Sequence, residues 1–458
     1  MSRALVRVSR IFAVAAMLVI VAAVTVKLAL YHYRSEPPLP TPGVDSSKPG
    51  PGHAAHVGSV WFVWLSGPPE IRGADMWRLV GPEMVKIDAT MHETFKQVVP
   101  SFFLRQTISL VGQFFSRHLT EDIPVDIQRE IVGQMQSYAD PFDDGGGKFP
   151  RFLAYLALHD LAQTIEKSPL IACTGFAMTG ASSKSGGTLV GRNFDFEAGR
   201  VFDEQKAVIV QQAKGMLATV SVAWPGMNGI VTGINQARVY ISVNAARSDD
   251  ESARGTPVSL IVREVLEKAR TAEDAVEFLE QAHVRVADLY LIADPRHAYV
   301  LEKTPARFAV RTAAPTIAVT NHFLDSQLRA EKRNQKLESH TTSLDRYARV
   351  DQLVNQRKTP ADARDGLSIL RDRTSSQGAP WALGDRHAID GYIATHGVLV
   401  DFGRDILWIS QAPHLSGEWL GVELAPLLAG EVREAERLPS DPDALALGKN
   451  IGYRAPNQ

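Results

Sequence analysis

The period of the hydrophobic positions changes several times along the chain, and each change predicts an element. Residues 58–65 alternate, Val60, Phe62 and Trp64 against Trp61, Val63 and Leu65, which predicts a strand. Gly67-Pro68-Pro69-Glu70 ends it, and a helix is expected from about Ala74. Over residues 82–115, 126–138 and 149–166 apolar positions recur at three and four, as in Phe152, Tyr155, Leu156, His159 and Leu161, and predict amphipathic helices. The polar, Gly-rich stretch 140–147 is a loop between them.

Beyond residue 172 the β-like pattern returns. Residues 176–190 form a β-like run broken by Met178, Gly180 and the Lys184-Ser185-Gly186-Gly187 turn, so 173–196 reads as a hairpin. Strands are expected at 207–212, 218–223, 230–232 and 239–244, then helices at 257–269 and 272–281. Short strands follow at 288–292, 298–302, 308–311 and 316–319, a helix opens at Ser343, and 395–402 pairs with 406–410 across Gly403-Arg404. The last thirty or so residues, with Pro439, Pro442 and Pro456, predict little.

Ahead of the first strand, Arg3, Arg7 and Arg10 precede an apolar run over residues 11–26, followed by Lys27, Tyr31 and Tyr33. Its length is at the lower edge of a membrane span, Lys27 can snorkel, and the tyrosines suit an interface. Leu28-Ala29-Leu30 is a poor peptidase site, so residues 1–34 read as a retained anchor in preference to a cleaved signal segment. Either way the remainder is expected to be exported, on the periplasmic or extracytoplasmic face. Residues 35–57, with Pro37, Pro38, Pro40, Pro42, Pro49 and Pro51, are expected to be a semi-extended linker.

Composition narrows the classes of function. With 458 residues, 45% hydrophobic and 22% charged, the chain can bury a large core in one domain or two. A net charge of −2 argues against nucleic acid as partner. A single cysteine excludes an internal disulfide and a multi-cysteine metal site.

That cysteine, Cys173, opens the first strand of the hairpin. Were the bond from Ala172 cut, its α-amine (pKa about 7.7–8.0) would sit beside a thiol of about 8.5 and could serve as base for its own side chain. Arg192 and Asp195 lie three apart on the second strand, and so project from opposite faces unless a bulge or the strand end re-aims one. If both reach the cysteine, Arg192 favours the thiolate and Asp195 holds the amine. From residue types alone, a small buried cysteine and a surface Arg-x-x-Asp pair are the commoner reading. His159-Asp160 reads as a packing or capping pair, and a serine hydrolase lacks its Gly-x-Ser-x-Gly elbow.

Cys173-Thr174-Gly175, followed by Gly191-Arg192-Asn193-Phe194-Asp195-Phe196-Glu197, resembles the start of the mature catalytic chain in the N-terminal-nucleophile (Ntn) amidohydrolases of choloylglycine hydrolase type. That group includes bile salt hydrolase, penicillin V acylase, the acyl-CoA:6-aminopenicillanic acid acyltransferases, acid ceramidase and the phospholipase B-like proteins. The meander ending at Asn244, Thr320-Asn321-His322-Phe323, and Ser343-Leu344-Asp345-Arg346-Tyr347-Ala348-Arg349 are similar to later family segments, so the resemblance runs from Gly58 to about Leu424. The layout looks closest to the acyltransferase-like and phospholipase B-like branches.

The resemblance implies an α+β fold, an αββα sandwich of two antiparallel sheets between helical layers. It also implies self-cleavage between Ala172 and Cys173, leaving a mostly helical piece, 58–172, associated with a catalytic piece, 173–458. Cys173 is then the nucleophile, with Arg192 and Asp195 beside it. Asn244 gives a backbone N–H and Asn321 a side-chain amide to the oxyanion, while Arg346 stands near the nucleophile. His322 shapes a turn, and Arg349 is the lesser arginine candidate. The implied substrate is a small linear amide, an N-acyl amide or acylated amino acid, cleaved through a thioester; an acyltransferase would pass the acyl group to an amine. No cofactor or metal is implied. A catalytically silent, membrane-tethered binding protein on the same scaffold is the alternative.

Overall fold

The computed structural model describes residue 25 and residues 36–102, 104, 105, 108, 118–142, 147–164, 171–196, 199–250, 252 and 254–451. The alternating segments pair into two sheets. The first has nine strands in the order β1 (His53–Val57), β2 (Val60–Ser66), β5 (Ala207–Gln212), β6 (Thr219–Ala223), β7 (Thr232–Asn235), β8 (Tyr240–Ala245), β9 (Asp288–Ala293), β10 (Ala298–Lys303) and β11 (Phe308–Thr312). The second has seven, in the order β12 (Thr316–Val319), β3 (Ile171–Met178), β4 (Leu189–Phe196), β13 (Ala394–Asp401), β14 (Ile406–Ser410), β15 (Trp419–Glu423) and β16 (Glu434–Leu438).

Period-two alternation decides which side chains meet. Val60 and Phe62 of β2, Val208 of β5 and Leu289 and Leu291 of β9 share one buried cluster with Ala177, Val190, Val398 and Val400 of the other sheet, so the sheets pack face to face. The intervening residues point outward. Val63, Leu65 and Ile209 meet helices α1 (Pro69–Val98), α2 (Val125–Met135) and α3 (Lys148–Leu156). Phe176, Met178 and Leu189 meet α7 (Ser343–Asn355) and α8 (Ala363–Leu370). With α5 (Val258–Lys268) and α6 (Ala272–Gln281) covering β8 and β9, the layers run α, β, β, α.

Several expectations need correction. The nine-stranded sheet is not wholly antiparallel, because β2 runs parallel to β5 from Trp61↔Ala207 to Ser66↔Gln212. The stretch 58–172 is mostly helical in its described residues and gives β2 to this sheet, as the alternation at 58–65 predicted. His53–Val57, inside the stretch expected as linker, is β1; upstream of it, Asp75 accepts the backbone N–H groups of Gly50 at 3.0 Å and Gly52 at 2.7 Å. The helix expected from about Ala74 begins at Pro69 and runs on through Pro82 to Val98, and residues 149–166 give α3 and then α4 (Leu158–Thr164), broken at Ala157. Pro82 lies within α1 just after non-helical Val80, as expected where a ring removes a backbone donor. The unreadable carboxyl-terminal stretch supplies β16.

Among the described residues no helix is long and apolar enough to cross a membrane. The apolar run at 11–26 lies outside the described residues.

Two contacts tie α1 and α2 to the rest. Gly73 and Gly133 sit where the two helices approach so closely that a Cβ on either would strike the other helix's backbone, at Glu130 and Glu70 respectively. Beside them the fully buried Glu130 accepts from Arg72 Nε at 2.9 Å on α1 and from Arg263 Nη1 at 2.6 Å and Nη2 at 2.7 Å on α5. Asn228 Nδ2 completes the group at 3.1 Å. One carboxylate thus joins residues before and after Cys173.

Candidate active site

Cys173 is fully buried at the third position of β3, opposite Phe194 of β4. Directly opposed residues share a face, so its sulfur points between the sheets along with Phe194 and, two residues away, Arg192. Arg192 Nη2 donates to Cys173 Sγ at 3.3 Å and to Val243 O at 2.5 Å. Nη1 donates to Val231 O at 2.7 Å and to Thr232 Oγ1. One buried guanidinium from the seven-stranded sheet is thereby anchored on the backbone of the other, and its position at the sulfur is fixed.

Burial pushes the Cys173 thiol up, and Arg192 opposes that rise by favouring the thiolate. The backbone around the sulfur is held equally firmly. Asn321 Oδ1 accepts the Cys173 N–H at 2.9 Å and Arg346 Nη2 at 2.9 Å, while Arg346 Nη1 reaches Cys173 O at 2.5 Å and Thr174 Oγ1 at 2.9 Å. Thr174 faces the outer helices, which is why an arginine on α7 reaches it.

Asn321 has its orientation dictated. Two donors fix its oxygen, and its Nδ2 donates to Ala245 O at 2.9 Å, so in the uncleaved chain the amide expected at an oxyanion is held by Ala245. Asn244 Nδ2 donates to Thr320 O at 2.8 Å, and its Oδ1 is buried with no hydrogen-bond partner among the described residues. Ser343 Oγ accepts the Asn321 N–H at 2.9 Å and lies 2.8 Å from His322 Nδ1. Burial lowers His322 to about 4, leaving a neutral ring that shapes the turn.

Asp195 sits differently. It pairs with Ala172 across the ladder and lies on the outer face, opposite to Arg192, as alternation alone dictates. The irregularity in this region falls on β13, between Ala394 and His396, and from the outer face the Asp195 carboxylate still adds to the rise of the Cys173 thiol. Burial raises its carboxyl to about 7, against the pull of Arg346 and Arg386. In the intact chain the Cys173 N–H is met by Asn321 Oδ1. Arg349 pairs with Asp372 at 2.8 Å, away from the cysteine. His159 is bound to Asp288 of β9 at 3.0 Å, a buried cross-element contact in keeping with a packing role.

Next to Phe194 and Val231 a cavity of about 120 Å³ opens, walled by Met84, Ile87 and Met91 of α1, Phe152 of α3, Phe196 and Trp224. It was not legible in the sequence, because its walls come from both sides of residue 172. Thr232 and His396 were also missed: each takes part in the network around Arg192 only through tertiary contacts.

Elsewhere, Glu273, Asp294 and His297 bring possible metal-ligand atoms within 4.8 Å of one another. Asp294 there already accepts from the backbone N–H groups of Ala272, Arg296 and His297.

Residues 182–381 match the family model described as acyl-coenzyme A:6-aminopenicillanic acid acyl-transferase. Over this stretch, a little under half of its length, the chain is similar to that family. The matched stretch contains Arg192, Asp195, Asn244, Asn321 and Arg346, and begins after Cys173. No curated protein matches the chain. Among solved structures, an N-acylethanolamine-hydrolyzing acid amidase ortholog from Caenorhabditis elegans is similar at 16% identity and TM-score 0.37, covering 50% of this chain and 93% of that one. Penicillin V acylase from Agrobacterium tumefaciens is similar at 13% identity and TM-score 0.35, covering 58% and 99%. A variant of conjugated bile acid hydrolase from Clostridium perfringens is similar at 13% identity and TM-score 0.39, covering 58% and 98%. The layered arrangement of the two sheets carries the fold assignment independently of these likenesses.

Proposed function

We propose that this protein is a self-cleaving N-terminal-cysteine amidase acting on N-acyl amides or acylated amino acids. The observation that carries the reading is the pair of contacts on one residue, Arg192 on the Cys173 sulfur at 3.3 Å and Asn321 on its nitrogen at 2.9 Å. A cysteine that merely fills space needs neither.

In the first reaction Cys173 Sγ attacks the Ala172 carbonyl carbon. The C–N bond breaks as the proton passes to the Cys173 nitrogen, and water hydrolyses the resulting thioester to free the α-amine. In the second, that amine takes the thiol proton while sulfur attacks the substrate amide, then delivers it to the leaving nitrogen. Asn321 Oδ1 is already in place to hold an N–H of the α-amine. On this reading its Nδ2 joins the Asn244 backbone N–H at the oxyanion only after cleavage lets it leave Ala245. The apolar cavity beside Phe194 suits the acyl group.

A transferase reading is favoured by the family match: the acyl-enzyme would then pass its acyl group to an amine in place of water. The arginines before the 11–26 run support export and membrane tethering of the whole. The test is intact mass of the purified full chain with and without Cys173→Ala. Cleavage before residue 173 in the parent alone, with amide turnover in the processed protein, is expected; an unprocessed, inert parent would favour the silent binding scaffold. Adding an amine acceptor and measuring acyl-amine product separates hydrolase from transferase.

A further inference from the structure

Thr232 on β7 and His396 on β13 lie behind Arg192 on the side away from the sulfur, and the hydrogen-bonding capacity of the three groups leaves one consistent assignment of protons. Arg192 can only donate, and its four terminal N–H bonds go to Val231 O, Thr232 Oγ1, Val243 O and Cys173 Sγ. Thr232 Oγ1 therefore accepts from Arg192, and its own hydrogen must point elsewhere. The partner is His396 Nε2, 3.0 Å away. Nε2 must then be the unprotonated nitrogen, and Nδ1, which is buried without a partner among the described residues, carries the hydrogen.

The surroundings of His396 enforce that state. Its ring is fully buried, stacked on Phe194 at 5.1 Å and tilted against Trp224 at 5.6 Å. Burial, with Arg192 and Lys206 nearby, holds it well below its usual value, so it is a neutral acceptor wherever the thiol could ionise. Lys206 is itself paired with Asp203 at 2.7 Å.

We propose that Thr232 and His396 are positioning residues for the nucleophile: neutral His396 orients the Thr232 hydroxyl, and Thr232 pins Arg192 so that its other nitrogen stays on the Cys173 sulfur. The proposal rests on the reading of Cys173 as nucleophile. Loss of the hydroxyl leaves one Arg192 N–H without a partner in the core, the guanidinium shifts, and the thiolate loses its counter-charge.

The single cysteine makes this measurable. Thiolate formation in the full-length protein is followed against pH by ultraviolet difference absorbance, with Cys173→Ser as blank, and intact mass reports cleavage on the same samples. Thr232→Val and His396→Phe are expected to raise the midpoint by about one pH unit, lowering the thiolate fraction below the midpoint about tenfold, whereas Thr232→Ser keeps the parent profile. Should Thr232→Val not fold, Thr232→Ala against Thr232→Ser gives the same comparison. Coincident midpoints for folded parent, Thr232→Val and His396→Phe would overturn the relay, and so would a Thr232→Ser profile shifted like that of Thr232→Val. A processed parent whose thiolate ignores these substitutions sinks the relay alone. An unprocessed parent whose thiolate responds to them sinks the self-cleavage reading and leaves the relay standing.

Discussion

The side-chain oxygen of Asn321 accepts the backbone N–H of Cys173 at 2.9 Å, and the same oxygen takes Arg346 at 2.9 Å. On the proposed reading, a group placed to receive the nitrogen of Cys173 serves both before and after the Ala172 bond breaks. Asn321→Ala is expected to slow both cleavage and turnover, by on the order of 10²–10³ if the amide also reaches the oxyanion. Timed intact-mass measurements check the first and steady-state kinetics the second; parental rates in both would remove Asn321 from the site.

The walls of the cavity predict a preference among substrates. Each methylene buried against Met84, Ile87, Met91 and Trp224 stabilises binding by about 0.8 kcal/mol. Across a series of linear N-acyl amides, kcat/KM is expected to rise about three- to fourfold per methylene until the chamber is full. Met84→Trp should shorten the best chain. A flat series would place the acyl group elsewhere.

Stability should depend on pH through Asp160, which burial and the neighbouring Asp288 raise to about 7. Its folded value lies above its unfolded one, so the folded state binds the extra proton. The contribution is therefore full below about pH 4 and is lost as pH rises to about 7. Asp160→Asn should raise Tm at pH 8 relative to the parent and leave the acid limb little changed. Parallel Tm-versus-pH curves for the two proteins would contradict this.

Glu130 behaves in the opposite sense. Despite full burial, Arg263 and Arg72 hold its carboxyl down at about 2, so its contribution is present above the usual carboxylate range and lost only as pH falls through about 2. Glu130→Ala strands two buried arginines, at a cost of about 3–5 kcal/mol. In cleaved protein the two pieces should then separate on a sizing column under conditions that keep the parent together. A Glu130→Ala protein of unchanged Tm would refute the role.

Much of this arrangement was legible in the chain, and the remainder was hidden for physical reasons. Alternation gave the buried strands and placed Arg192 and Asp195 on opposite faces, which the structure keeps. Turn chemistry located the Gly403-Arg404 hairpin. Local pattern does not encode which distant residues meet, so the Thr232 and His396 pair and the Glu130 bridge to Arg263 left no trace in spacing. The strand at His53–Val57 was masked by the prolines before it, since composition averaged over the segment outweighed five residues whose pairing comes from β2. Nor could residue type reveal that the Asn321 amide is held by Ala245, because that depends on the donors that fix its oxygen.

In the intact protein β5 lies between β2 and β6, so its backbone is paired along both sides. A chain begun at Cys173 would strip off β2 and lay that row of N–H and C=O groups bare, an open template for other molecules. Such a truncated product is expected to precipitate where the full-length chain stays soluble, as centrifuged lysates would show. The stretch before Cys173 thus shields an edge that a chain shortened to that residue would carry open.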